Sequence, residues 1–125
     1  MADGRRGIVI VDHGSRHAEA NALLDEVVRR VQARCPDAIV RAAHMELAPP
    51  SIAEAIGECV AAGAGEIAVH PYFLAPGQHS TRDIPHLVQN AMASHPGVEA
   101  RVTEPLGLDE QLVDVVIRRI DAQQS

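Results

Sequence analysis

The sequence predicts an α/β fold: a three-layer arrangement in which a four-stranded, mainly parallel sheet is flanked by helices. Three observations predict it. Four short aliphatic runs alternate with four stretches of helical periodicity, at a spacing of roughly 30 residues, as successive strand–helix units do. The first run, residues 7–11, is apolar without alternation, as a strand covered on both faces has to be. Aromatic residues are 2% of the chain, Tyr72 and Phe73 side by side, so the core must be aliphatic and close-packed from Val, Ile, Leu and Ala.

Each element follows from its own pattern. The first strand is Gly7-Ile8-Val9-Ile10-Val11. A helix follows, with Leu23, Leu24, Val27, Val28 and Val31 on one face and Asp25, Glu26, Arg29 and Arg30 on the other. Residues 38–43 read as the second strand. In the second helix Ile52, Ala55, Ile56, Cys59 and Val60 repeat the apolar stripe; Ser51 and Glu54 form a capping box and Gly63 supplies the stop. The third strand is Glu66–His70, followed by a stripe of Ile84, Leu87, Val88, Ala91 and Met92. The fourth strand, residues 98–102, precedes a last helix whose stripe is Leu112, Val113, Val116, Ile117 and Ile120. Right-handed crossovers between parallel strands put helices on both faces, with 2-1-3-4 the expected strand order. Residues 1–125 read as a single domain. A sheet this small leaves much edge uncovered, and a dimer is expected.

Composition excludes several functions. All 11 basic residues are Arg, and 17 acidic residues bring the net charge to -6. That sign argues against general nucleic-acid binding, which neutralises phosphates. The absence of Lys removes Schiff-base chemistry and a Walker-type phosphate lysine. Cys35 and Cys59 are too few for a disulfide scaffold and sit at helix positions that suit packing. No apolar run approaches the roughly 20 residues of a membrane span, and residues 1–7 lack the apolar stretch of a signal peptide. A soluble cytoplasmic protein is expected.

Parallel α/β sheets bind ligands beyond the carboxyl ends of their strands. Asp12-His13-Gly14-Ser15-Arg16 follows the first strand, His44-Met45-Glu46 the second, residues 71–79 the third and residues 103–107 the fourth. His13, Glu46 and His79 are spaced by 33 and 33 residues, close to the repeat itself. On neighbouring strands about 4.8 Å apart, the three side chains can converge on one atom. Two imidazoles and a carboxylate suit Fe(II), Co(II), Ni(II) or Zn(II) and leave positions open for exchange. The plainer alternatives are a helix-capping His13, a solvated Glu46 and a capping His79. His17, His86 and His95 belong to helix surfaces or ends, and His44 and His70 lie on or beside strands as structural residues. The Gly14-Ser15 turn has neither dinucleotide nor P-loop spacing. Ser15 with His13 and Asp12 lacks the G-x-S-x-G elbow of a hydrolase.

These segments also carry a family resemblance. Residues 9–16 (VIVDHGSR) look like the opening signature of the class II tetrapyrrole chelatases. Residues 73–79 (FLAPGQH), continuing to Asp83-Ile84-Pro85, resemble the second signature of the small sirohydrochlorin cobalto- and ferrochelatases. Met45-Glu46-Leu47 with Pro50-Ser51-Ile52 matches the segment between them. The resemblance spans nearly the whole chain. It implies insertion of a divalent metal (Co²⁺ or Fe²⁺, with Ni²⁺ as a further candidate) into sirohydrochlorin, without ATP, on the way to cobalamin or sirohaem. The metal is then substrate, and no tightly bound cofactor is expected. His13 and His79 match the metal-binding or catalytic histidines, and Glu46 the acidic residue that assists them. Longer relatives carry two such domains, so the homodimeric short form is the natural comparison. Asp12 stands where many relatives have a small residue, and its role is open.

Metallation requires that the ion lose water and that two pyrrole protons leave; an imidazole, with an ordinary pKa of about 6.5, can hold the ion loosely and accept a proton. Sirohydrochlorin is rich in carboxylates. Arg16 and Arg82 are expected to pair with them, helped by Ser15, Gly77, Ser80, Thr81 and the helix N-terminal amides that follow. Phe73 or Leu74 is expected to form the apolar wall. The alternative is a metal or tetrapyrrole carrier of the same fold that does not turn over.

Overall fold

The computed structural model describes residues 4–75, 77 and 82–123. Strands and helices alternate as expected: β1 (Arg5–Asp12), α1 (Ala18–Arg34), β2 (Ile39–His44), α2 (Ile52–Ala61), β3 (Ala64–Pro71), α3 (Ile84–Met92), β4 (Glu99–Val102) and α4 (Glu110–Ala122). All four strands are parallel, in the order β2-β1-β3-β4. The structure lengthens β1 and β3 to eight residues each and shortens β4 to four. The two central strands gain partners on both sides, whereas β4 has a ladder on one side only.

Two aliphatic clusters sandwich the sheet. On one face Val9, Val11, Ile39, Ala43, Ile67 and Val69 pack under α2 and α3, which contribute Ile52, Ala55, Ile56, Cys59, Ile84 and Val88. On the other, Ile10, Val40 and Ala42 pack under Leu24 of α1, with Val27, Val28, Val31 and Tyr72 at the margin. The alternation along β1, odd residues to one cluster and Ile10 to the other, is the two-residue period of a strand buried on both sides.

Local rules set the helix ends. The Ser51 hydroxyl accepts from the Glu54 N–H at 3.1 Å while the Glu54 carboxylate accepts from the Ser51 N–H at 2.8 Å, which is the predicted capping box. Gly63, at φ +106°, turns the chain after α2, so that its N–H reaches the Val60 carbonyl at 3.0 Å. Cys35 closes α1 as its C-cap and Cys59 is buried at the centre of the α2 face, so both cysteines pack, and both are free thiols.

The last helix departs from the sheet-covering role that its stripe implies. α4 forms, capped by the Asp109 carboxylate on the Gln111 N–H at 2.8 Å, yet it buries none of its residues. Val116, Ile117 and Ile120 remain 57%, 50% and 56% exposed. Periodicity reports that a helix has an apolar face; it does not report which surface will cover it.

Candidate functional site

The carboxyl ends of β1 and β2 are stitched together beyond the last paired strand residues. Asp12 and His44, the terminal residues of the two strands, stand directly opposite one another in the parallel ladder. Past them the Met45 N–H donates to the Asp12 carbonyl at 2.9 Å and the Glu46 N–H to the His13 carbonyl at 3.1 Å. The backbones of His13 and Glu46 are thus hydrogen-bonded neighbours across the ends of β1 and β2.

Gly14 makes this approach possible. It sits at φ +91°, and a Cβ there would lie 1.9 Å from the Glu46 carbonyl oxygen and 3.0 Å from the His44 Cβ. Only a residue with no side chain can hold that backbone against its neighbour. The chain then turns into α1 through a local network. Both the N–H and the carbonyl of Ser15 bond the Asn21 side chain, at 3.0 and 2.7 Å, and the Ser15 hydroxyl accepts from the His17 N–H at 2.9 Å. Ser15, expected as a substrate contact, ties down the loop that bears His13. His17 is the N-cap residue of α1, at a helix end as expected.

From β3 comes the other wall. The Tyr72 N–H bonds the Val11 carbonyl at 2.7 Å, and the Leu106 N–H bonds the Phe73 carbonyl at 2.9 Å, which anchors the start of the loop to β1 and to the segment after β4. The Phe73 ring stacks on His13, with centroids 4.4 Å apart and planes 22° from parallel. The sequence suggests Phe73 or Leu74 as an apolar wall for the ligand; the structure stacks the Phe73 ring on His13. His13 and Glu46 are exposed, Leu74 is 70% exposed, and Arg16, Gly77 and Arg82 also lie at the surface. His79, Ser80 and Thr81 lie outside the described residues. Among the described residues no group of three His, Cys, Asp or Glu side chains is placed to hold a metal ion.

The side-chain pair that sequence reasoning passed over is Asp12 with His44. His44, taken there as a structural strand residue, is 2% exposed and is the one buried polar or charged residue among those described. Its Nδ1 lies 2.5 Å from the Asp12 Oδ1, and since a carboxylate only accepts, Nδ1–H is the donor. A partner 32 residues away in the chain leaves no local signal in a sequence; only the register of β1 on β2 shows it.

His70 is a different kind of histidine. The Thr103 hydroxyl donates to the Glu104 carbonyl at 3.1 Å and so accepts from His70 Nδ1 at 2.8 Å. Burial holds its pKa below the ordinary value of 6.5, against a smaller opposing effect of the Glu104 backbone. The unfolded chain therefore binds the proton more readily, and folding stability should be full above about pH 6.5 and fall as pH drops from there towards the lowered folded value. Urea midpoints measured from pH 7.5 to pH 5 should decline, and the decline should be shallower in His70→Gln. Equal slopes in both proteins would show that His70 does not carry the effect.

Comparison with known proteins places the chain in a family. The sequence profile of the CbiX family matches residues 7–123. The chain belongs to the CbiX family. A sirohydrochlorin ferrochelatase, chloroplastic, of Arabidopsis thaliana is 46% identical over 114 residues, 91% of this chain and 51% of that protein. A sirohydrochlorin cobaltochelatase of Methanococcus maripaludis is 31% identical over 137 residues, 90% of this chain and 95% of that protein. The solved structure of the sirohydrochlorin chelatase SirB from Bacillus subtilis subspecies spizizenii in complex with cobalt superposes with a TM-score of 0.89 at 28% identity, covering 95% of this chain and 51% of that one. The chain thus spans about half the length of the Arabidopsis and Bacillus proteins and nearly all of the Methanococcus one. The CbiX fold is the expected four-stranded parallel sheet, and the spliced β1–β2 edge lies inside the matched region. No helix among the described residues is long and apolar enough to cross a membrane.

Proposed function

We propose that this chain is an ATP-independent chelatase that inserts Co²⁺ or Fe²⁺ into sirohydrochlorin, acting as a single domain over residues 1–125 in the cytoplasm. The observation that carries the reading is the hydrogen-bonded junction of His13 and Glu46 at the carboxyl edge of the sheet, in a chain of the CbiX family. The names of its relatives support the substrate, and the cobalt complex of the Bacillus structure supports the metal as cargo. His79, from the loop after β3, is the third ligand in this reading.

The chemistry then divides among the residues. His13 holds the incoming ion with Glu46 and His79; Glu46 adds negative charge beside a dication. As the ion enters the ring, two pyrrole N–H protons leave, and His13 and Glu46 are the exposed acceptors nearest the junction. Phe73 keeps the His13 ring in one plane, so the imidazole meets the macrocycle without first being ordered. Leu74 supplies apolar surface, and Arg16 and Arg82 meet ring carboxylates alongside Ser15, Gly77, Ser80 and Thr81. Nothing here demands a tightly bound cofactor. Ni²⁺ enters the same donor set by the usual affinity order, so the metal supplied decides between a cobalamin-type and a sirohaem-type product.

The active species in this reading is a homodimer joined through α4. Its stripe of Val113, Val116, Ile117 and Ile120 is exposed. Glu110 and Asp114 lie towards the start of the helix, and Arg118 and Arg119, with Asp121 after them, towards its end. An antiparallel copy of the same helix would set opposite charges against each other while burying both stripes.

Under anaerobic conditions the purified protein with sirohydrochlorin and Co²⁺ or Fe²⁺ should give many turnovers of the metallation spectrum. His13→Ala should lower the rate by about 100-fold or more. A wild-type rate in His13→Ala overturns the site; one equivalent bound without turnover identifies a carrier instead.

A further inference from the structure

We propose that the Asp12–His44 pair is a positioning device for the metallation site, holding His13 and Glu46 in register through the ends of the strands that carry them. The inference rests on the chelatase reading above and assigns two residues that it does not use. Burying an imidazole costs free energy unless its polar atoms are paired, so a histidine 2% exposed depends on that pairing. Its Nδ1–H bonds Asp12 at 2.5 Å, across the two strands and at the last paired position of their ladder. One residue further along β2, the Met45 N–H bonds the Asp12 carbonyl, and the next bond joins the Glu46 N–H to the carbonyl of His13, one residue further along β1. The His44 N–H itself donates to the Pro50 carbonyl at 2.8 Å, which holds the far end of the loop bearing Glu46. Behind the pair, Gly14 leaves no room, since its added Cβ would already stand 3.0 Å from the His44 Cβ.

His44 is thus held on its side chain by β1 and on its backbone by the chain returning towards α2. The neighbouring backbone has few ways to move without breaking one of these bonds. A ligand set that must release its ion to the macrocycle cannot be fixed by the metal alone, because the metal leaves in every turnover. The clamp fixes the geometry in the empty state as well.

The test uses His44→Ala, His44→Asn and Asp12→Asn in the full chain. Each is read by sirohydrochlorin metallation and, independently, by Co²⁺ titration of the protein alone through visible absorption. His44→Ala should lower kcat and weaken Co²⁺ binding by about 10- to 100-fold, with KM for sirohydrochlorin within about twofold of wild type. His44→Asn, whose amide N–H can still donate to Asp12, should recover most of both losses. Asp12→Asn, which can still accept but carries no charge, should fall between them. Wild-type kcat and Co²⁺ affinity in His44→Ala overturn the proposal. So does a folded His44→Asn as impaired as His44→Ala, because the imidazole would then act otherwise than by holding Asp12. If the wild type binds Co²⁺ but metallates nothing, the chelatase reading fails, and the loss of Co²⁺ affinity in His44→Ala with its return in His44→Asn still supports the clamp. A wild type that binds no Co²⁺ and metallates nothing overturns both.

Discussion

Gly14→Ala is expected to remove metallation activity and to destabilise the fold by several kcal/mol. Two costs combine. A side chain at φ +91° adopts a backbone region that L-residues rarely occupy, worth about 1–3 kcal/mol. The new methyl would also lie 1.9 Å from the Glu46 carbonyl, so the two loops must part and the Glu46 N–H bond to the His13 carbonyl must break, a further roughly 1–3 kcal/mol if the groups stay dry. Together these should lower the melting temperature by roughly 10–20 °C. The separation falls between the two proposed ligands, where a misplacement of about 1 Å can cost on the order of 100-fold in rate. Gly57→Ala is the control. It lies in α2 with nothing within 4 Å of its added Cβ, and should leave the rate unchanged and the helix slightly more stable. Melting curves and metallation rates of the two variants should therefore diverge sharply. Equal behaviour would mean that the β1–β2 junction does not constrain the site.

Val116→Asp combined with Ile120→Asp is expected to convert the protein from dimer to monomer without unfolding it. Neither side chain supports its own chain's core, since α4 buries no residue there, so the monomer's circular dichroism and melting should change little. At a two-fold interface every substitution acts twice, removing four apolar side chains at about 1.5–3 kcal/mol each. Even the lower value weakens association by on the order of 10⁴-fold. Sedimentation velocity at micromolar concentration should show the wild type as a dimer and the variant as a monomer. A monomeric wild type, or a dimeric variant, overturns the α4 interface.

The order of strands and helices was readable because both signals are local. A doubly covered strand has to be apolar throughout, and Ser51, Glu54 and Gly63 mark the ends of α2 by chemistry that acts within one turn. The candidate site was readable to the extent that ligands follow strand ends, which directs attention to His13 and Glu46 without any knowledge of the fold's details. What escaped depends on residues far apart in the chain. Asp12 meets His44 only through the register of two strands. Phe73 meets His13 only because Tyr72 and Leu106 pin the loop after β3. The α4 stripe misled for a related reason: the same pattern serves a helix lying on its own sheet and one awaiting another surface. His79 lies outside the described residues, so its convergence with His13 and Glu46 stays part of the proposal.

The bonds from Met45 and Glu46 to Asp12 and His13 extend the sheet's ladder into what the sequence shows as loop. Amides in such a ladder exchange with solvent only when the structure around them opens. Those of Met45 and Glu46 should therefore exchange on the timescale of the central strands, far slower than exposed amides such as that of Leu74. A site whose amides exchange that slowly is lost only when the molecule unfolds. Mutations that weaken the distant aliphatic core would then reduce the amount of active protein well before they change the rate of the protein that remains folded.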